Sequence, residues 1–276
     1  MTLPEKTKHT HPHDLGNNLI VRPSSQADTE ALLQLVDSVF GAMMEEAGGT
    51  HMTHLVRRVM SGTHPSMRPD DFILVEDTNR TERQIVGCTG LLHHTWHYET
   101  IPFSVGRPEV IATYPEYRHQ GLIRALFVTM HARSKSRGHQ VQAITGIPYF
   151  YRLFDYEYAL ELWNTCTIDI ERLPSVMHHL PTEYSLRDAT SEDIPVIQKL
   201  YEEQRCRGMI SQIIDKSWWR HQIQTWQTEK PEQNINSHVQ MIGCADEVKG
   251  YLITSSPQVK RYIQVWDLQL EVRFLS

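Results

Sequence analysis

Apolar residues first recur at helical spacing at Ala31, Leu32, Leu35, Val36 and Val39, just after Ser24-Ser-Gln-Ala-Asp28, whose short polar side chains suit a helix N-cap. The run 18–22 before it reads as a short strand ended by Pro23, and Gly41 would end or bend the helix. A second helix is expected near 54–60, followed by a connector punctuated by Gly62, Pro65 and Pro69. The pattern then turns to strands. Residues 71–76 form a compact apolar run, 77–81 are turn-like, and 85–92 read as a hairpin partner. A strand over 109–113 leads into a helix from about 121 to 137, with Leu122, Ile123, Leu126, Phe127 and Met130 on one face and Gly138 at its end. A short strand over 141–145, an aromatic-rich stretch over 149–158 and a last strand over 162–170 complete the series.

This order predicts an α/β region of the mixed-sheet (α+β) kind. Residues 1–18 are polar and His-rich and are expected to be a disordered tail, 19–172 the main domain, and 173–183, with Pro174 and Pro181, a linker. Residues 184–276 echo the start of the first region. Arg22-Pro-Ser-Ser-Gln-Ala-Asp28 aligns with Arg187-Asp-Ala-Thr-Ser-Glu-Asp193, and Leu35 with Leu200. Ile85-Val-Gly87 resembles Val248-Lys-Gly250 downstream. A helix over 218–227 and three strands follow, and nothing there corresponds to the strand–turn–helix of 109–137. An incomplete second copy is the reading favoured. Its final strand, 262–270, is expected to leave an open sheet edge that pairs with another element or another chain.

Composition narrows the function classes. The 276 residues carry 27 Lys+Arg against 33 Asp+Glu, a net charge of -6, which disfavours nucleic acid as a partner. No apolar run approaches the roughly 20 residues that span a bilayer, and the N-terminus lacks the apolar core of a signal peptide, so a cytoplasmic protein without membrane contact is expected. Cys88, Cys166, Cys206 and Cys244 are widely spaced and fit reduced thiols.

The chemistry concentrates in Val110-Ile-Ala-Thr-Tyr-Pro-Glu-Tyr-Arg118-His119-Gln120-Gly121-Leu122-Ile123-Arg124, where a strand runs through a basic, glycine-containing turn into a long helix. Unpaired N–H groups at a helix start, the helix dipole and two guanidinium groups make an anion site suited to a pyrophosphate. Taken alone, such a turn more often merely caps its helix. GxxxxGK[ST] and GxGxxG are both missing, which removes the usual nucleotide hydrolase and dinucleotide readings.

Arg118-His119-Gln120-Gly121-Leu122-Ile123 resembles the acetyl-CoA-binding motif of the GNAT N-acetyltransferase superfamily, Arg/Gln-x-x-Gly-x-Gly/Ala, with Ile123 where Gly or Ala is usual. That bulky residue, followed by Arg124, is similar to the Eis-like branch, whose members carry tandem GNAT-like regions. Tyr149-Phe-Tyr151-Arg-Leu-Phe154-Asp155-Tyr156 resembles the family's Phe-Tyr-x-x-Phe-Gly-Tyr segment, with Asp155 in place of Gly. The resemblance implies a GNAT fold followed by a partial second GNAT-like region, and acetyl-CoA as acetyl donor. It implies that the main chain of Ile111, Ala112 and Thr113 pairs with the pantetheine arm. Main-chain N–H groups from His119 to Arg124 would hold the pyrophosphate, aided by the charge of Arg118. Thr145 and Gly146 would line the opening that admits the thioester. Tyr151 would be the general acid that protonates the departing thiolate.

The expected activity is acetyl transfer to a primary amine, on a small molecule or peptide, by direct attack in a ternary complex. No Ser or Cys stands in a nucleophile motif. The alternative is a non-catalytic acyl-CoA sensor, motivated by Ile123, Asp155 and the lack of an evident general base. Glu109 is a candidate base, although a solvated strand-end carboxylate is the commoner role for such a residue. No metal site is expected. His93 and His97 would share a strand face but stand about 13 Å apart at roughly 3.3 Å per residue, too far for one ion, and the reading favoured for His93, His94 and His97 is exposed strand histidines. Trp218, Trp219 and Trp226 are expected to anchor the core of the second region.

Overall fold

The computed structural model describes residues 12–41, 50–79, 84–147, 149–160, 166–169, 184–228, 238–245, 247–254 and 262–270. The chain divides into two compact units, residues 1–161 and 162–276. Among the described residues, no helix is long and apolar enough to cross a membrane.

In the first unit six strands lie side by side in chain order: β1 (His13–Gly16), β2 (Leu19–Pro23), β3 (Phe72–Asp77), β4 (Gln84–Tyr98), β5 (Ile101–Thr113) and β6 (Val141–Gln142). Neighbours from β1 to β5 are antiparallel, and β6 runs parallel to β5. All six residues of β3 are buried, as expected for a central strand covered on both faces. Helices α1 (Thr29–Phe40) and α2 (Thr50–Met60) cover one face, over Leu32, Leu35, Val56, Phe72 and Cys88. Helix α3 (Leu122–Ser136) covers the other, where Leu126, Phe127 and Met130 meet Val21, Ile73, Val75 and Leu91. This is the mixed α/β sheet that the element order predicted.

Three segments depart from the sequence reading. The expected disordered tail already contains β1, joined to β2 by a turn in which Gly16, Asn17 and Asn18 all have positive φ; Gly and Asn are the residues that tolerate this region most easily. Strands β4 and β5 extend past Leu92 as a long hairpin turning at Glu99, because the partly exposed residues 93–98 still pair rung by rung with 101–106. The strand expected over 162–170 is β7 (Cys166–Asp169), which belongs to the second sheet. The expected linker, 173–183, lies outside the described residues.

The second unit holds β7, β8 (Tyr184–Asp188), α4 (Ile194–Arg205), β9 (Ile210–Gln212), α5 (Lys216–Thr228), β10 (His238–Cys244), β11 (Glu247–Thr254) and β12 (Tyr262–Leu270). Its sheet runs β7-β12-β11-β10-β8, antiparallel throughout. β12 pairs with β11 on one side and, over Tyr262–Val265, with β7 on the other, so the edge expected to pair with another element or chain takes β7, which the sequence reading placed elsewhere. Trp219 is wholly buried, with Trp218, Tyr251 and Tyr201 edge-on at 5.0, 5.5 and 5.7 Å. Trp226 instead stacks on His238 at 3.8 Å.

The repeated Arg–Asp pattern has the same geometry in both units. Arg22 donates to both oxygens of Asp28, at 2.9 and 2.6 Å, while the Ser25 N–H and hydroxyl donate to the same carboxylate. Arg187 grips Asp193 at 2.7 and 2.6 Å, with Thr190 in the place of Ser25. Arg22 lies opposite Leu74 and Arg187 opposite Met241, and two residues on the Ser24 and Ala189 N–H groups donate to Phe72 and Val239. In each unit the motif ties a strand end to the start of a helix.

Candidate active site

The site is built where β5 and β6 part. Their parallel ladder has only two rungs, Val105 with Val141 and Gly106 with Gln142, and closes with the Ala143 N–H on the Gly106 carbonyl at 3.1 Å. Beyond it the two arms share no rung among the described residues. One arm carries Ile111, Ala112 and Thr113, the other Thr145 and Gly146. On its far side β5 stays paired with β4, through Cys88 with Ala112 and Gly87 with Thr113. The open arm of β5 thus offers an unpaired strand edge to an extended ligand.

A bulge sits in that arm. The register slips by one residue between Cys88 and Gly90, and Val110 adopts φ 52°. A β-branched residue in the left-handed region is a strained arrangement that surrounding contacts must hold. One contact does so. The buried Cys88 thiol donates to the Val110 carbonyl at 3.3 Å, and burial pushes that thiol up to about 12.

Glu109 faces this bulge with a side chain only 22% exposed. Its carboxyl is raised above the usual range by burial, which outweighs the Arg107 guanidinium at 2.8 Å and the Val110 N–H. The bland reading as a solvated strand-end carboxylate does not hold; the sequence could not show that β4 and the bulge would enclose it.

Tyr151 opens a 3-10 turn, Tyr151–Phe154, against α3, with its ring 5.9 Å from that of Phe127. A Cβ on Gly146 would lie 3.0 Å from Tyr151 Cε2 and 3.5 Å from its hydroxyl oxygen, so the phenol lies against the β6 arm. Burial and then the Glu109 charge raise the phenol above its usual value. Tyr156 closes the same cluster, donating to Gln142 at 2.8 Å. Asp155, the departure from the family's Gly, has φ 69°. The backbone there does need a left-handed residue, and Asp is among the few non-glycines that accept it.

The basic turn lies between β5 and α3. Gly121 is the N-cap of α3 at φ 77°, and its carbonyl accepts the first helical bond, from Ala125 at 3.1 Å. The N–H groups of Leu122, Ile123 and Arg124 precede that bond. Arg118, His119, Gln120 and Gly121 are exposed or partly so, and no protein atom lies within 4 Å of where a Gly121 Cβ would stand. Arg124 lies over the Phe154 ring at 5.6 Å. Ile123 packs into the core beneath α3 together with Ile111, Ile144 and Tyr151, which gives its bulk a place.

The histidines require a correction. His93 is hydrogen-bonded inside the protein to Asp71 and His139. Burial, with the nearby Arg107, lowers His94 to about 4. They are not solvent-facing strand residues. Among the described residues no three His, Cys, Asp or Glu side chains converge as metal ligands would.

Comparison with known proteins places the fold. Residues 20–159, just over half of the chain, match the Acetyltransferase (GNAT) domain family. No curated protein matches the sequence significantly. Among solved structures, a probable N-acyltransferase from Enterococcus faecalis V583 is similar with TM-score 0.57 and 16% identity, over 86% of this chain and 55% of that one. A GCN5-related N-acetyltransferase from Kribbella flavida gives 0.58 and 15%, over 92% and 57%. Saccharomyces cerevisiae N-myristoyltransferase, solved with myristoyl-CoA, gives 0.62 and 12%, over 88% and 61%. The chain thus spans less than two thirds of the length of each. With residues 20–159, just over half of its length, matched to that family, this chain belongs to the GNAT acetyltransferase family.

Proposed function

We propose that the protein is an acetyl-CoA-dependent N-acetyltransferase acting on a primary amine by direct attack. The observation that carries this reading is the fork between β5 and β6, with Glu109 on one arm and Tyr151 against the other. The free edge at Ile111–Thr113 suits an extended pantetheine arm. The turn from Arg118 to Arg124 suits a pyrophosphate, through main-chain N–H groups and the helix dipole.

The two ionisable groups divide the work. Attack needs a neutral amine, and Glu109 is the group able to take its proton, directly or through one water. Main-chain donors at the bulge stabilise the tetrahedral oxyanion. Tyr151 then protonates the thiolate. A phenol is ordinarily a weaker acid than a thiol, by about 1.5 pH units, and the Glu109 charge makes Tyr151 weaker still. Once Glu109 holds the amine proton, that charge is gone and Tyr151 becomes easier to ionise. Proton capture at one arm therefore favours proton donation at the other. The twin Arg–Asp motifs support a duplication in which the second unit is a partial copy of the first, as in the Eis-like branch.

The test is thiol release from acetyl-CoA across a panel of aminoglycosides, polyamines and peptides, beside calorimetric titration with coenzyme A. Turnover on at least one amine is expected, and Gly121→Glu should abolish binding. Tight coenzyme A binding with no turnover on any amine would select a non-catalytic acyl-CoA sensor, and no binding would end both readings.

A further inference from the structure

Four side chains from separate elements form one continuous hydrogen-bonded chain behind the fork. His93 Nε2 meets Asp71 at 2.9 Å, His93 Nδ1 meets His139 Nε2 at 2.9 Å, and His139 Nδ1 meets the Ser134 hydroxyl at 2.9 Å. Asp71 and Ser134 are wholly buried. The chain joins the 3-10 turn before β3, strand β4, the segment entering β6 and the end of α3. It also rests on the closed end of the fork: a Cβ on Gly106 would lie 2.6 Å from both His139 Nδ1 and Ser134 Oγ, and Gly106 forms the last rung with β6.

We propose that Asp71, His93, His139 and Ser134 are a single-proton relay that clamps the closed end of the β5/β6 fork and so positions the arm-binding edge; this rests on the acyl-CoA reading of that edge. Proton counting carries the argument. With both rings neutral one arrangement satisfies every contact: Ser134 donates to His139 Nδ1, His139 Nε2–H donates to His93 Nδ1, and His93 Nε2–H donates to Asp71. One added proton reverses the chain without breaking it. His93 Nδ1–H then donates to His139 Nε2, and His139 Nδ1–H donates to Ser134, whose hydrogen turns to a carbonyl of the preceding helical turn. A second proton places hydrogens on both facing nitrogens, and a 2.9 Å contact cannot hold two. His139 must then withdraw, and with it the packing on Gly106.

Asp71 favours protonation of His139, while burial, His93 and Arg137 oppose it. Arg133 near the end of α3 and Arg137 just past it already face Asp71 at 3.1 and 3.4 Å, with Asp70 beyond them at 2.7 and 3.3 Å. His94, next to His93 on β4, is lowered by burial and by the charges of Arg107, His93 and His139. Burial and the neighbouring His93 hold His139 below the usual imidazole range. The clamp is thus closed at neutral pH and opens on acidification.

Isotope-edited NMR of the ring nitrogens, with His93→Gln and His139→Gln for assignment, reads the relay directly in the intact chain. At neutral pH both rings should be Nε2–H tautomers, and His93→Gln should raise the titration midpoint of His139, which His93 helps to hold down. An Nδ1–H tautomer in either ring, or an unmoved midpoint, would overturn the relay. Calorimetry with coenzyme A then tests its role. Affinity in the parent should fall by up to about tenfold per pH unit through the opening transition, and His139→Gln should flatten that dependence. Equal losses in both proteins would overturn the positioning role. Absence of coenzyme A binding at every pH, with the tautomers as expected, would instead sink the acyl-CoA reading of the fork and leave the relay as a structural feature alone.

Discussion

The ring of Tyr151 lies against the bare backbone of Gly146, so close that a methyl group there would stand 3.0 Å from the ring edge. Gly146 also has φ 146°, a value that side chains rarely adopt. Gly146→Ala should therefore move the phenol without unfolding the sheet. We expect thiol-release kcat to fall by about 100-fold, the size of a 1 Å misplacement of a reacting group, with coenzyme A affinity within a few-fold of the parent.

Tyr151→Phe removes the proton and keeps the ring packing on Phe127. Loss of a positioned general acid lowers kcat by about 10²–10⁴-fold. Steady-state kinetics should show this loss in kcat with the acceptor KM nearly unchanged.

The base role proposed for Glu109 requires the ionised carboxylate, so kcat/KM should fall as pH drops through its pKa. Burial raises that carboxyl, which places the acidic limb above the ordinary carboxylate range. In Glu109→Gln this limb should vanish from the pH–rate profile, while Arg107→Gln should move it upward, since Arg107 opposes the effect of burial.

The buried Cys88 thiol donates to the Val110 carbonyl. Cys88→Ala leaves the strained bulge without that brace. A loss of about 1–3 kcal/mol is expected from an unsatisfied buried polar group, read as a lower midpoint in urea, with a loss of kcat from a looser bulge. Cys88→Ser should restore part of both.

Asp28 and Asp193 offer a matched pair. Burial pushes Asp28 up, but the hydrogen bonds of Arg22 and Ser25 outweigh it and hold the carboxyl below its usual range; Arg187 does the same for Asp193, against burial. A depressed folded pKa gives stability that is full above the unfolded value of about 3.9 and lost as pH falls through the folded one. Each Asp→Ala variant should cost about 1 kcal/mol above that pH, and the cost should fade on acidification in pH-dependent melts.

These residues also mark what the sequence could reveal. The Arg–Asp motif was legible twice, because its geometry is local: six residues separate the partners and a polar cap lies between them. The basic turn was legible for the same reason, since helix start, glycine and guanidiniums are contiguous. Asp155 was visible as a departure, and its positive φ supplied the reason. What was hidden depends on distant pairing. His93 looked solvent-exposed because Asp71 and His139 approach it only once the sheet and α3 have formed. Glu109 looked solvated because a one-residue slip opposite Thr89 is invisible before the register is known. β7 looked like the end of the first region because its apolar residues suit either sheet.

The place of β7 bears on how the protein can be cut. A fragment of the second unit beginning at residue 184 would strip β12 of its outer neighbour and bare the strand edge of Tyr262–Val265 that β7 covers, an invitation to intermolecular pairing and precipitation. One that starts ahead of Cys166 keeps that edge sheathed.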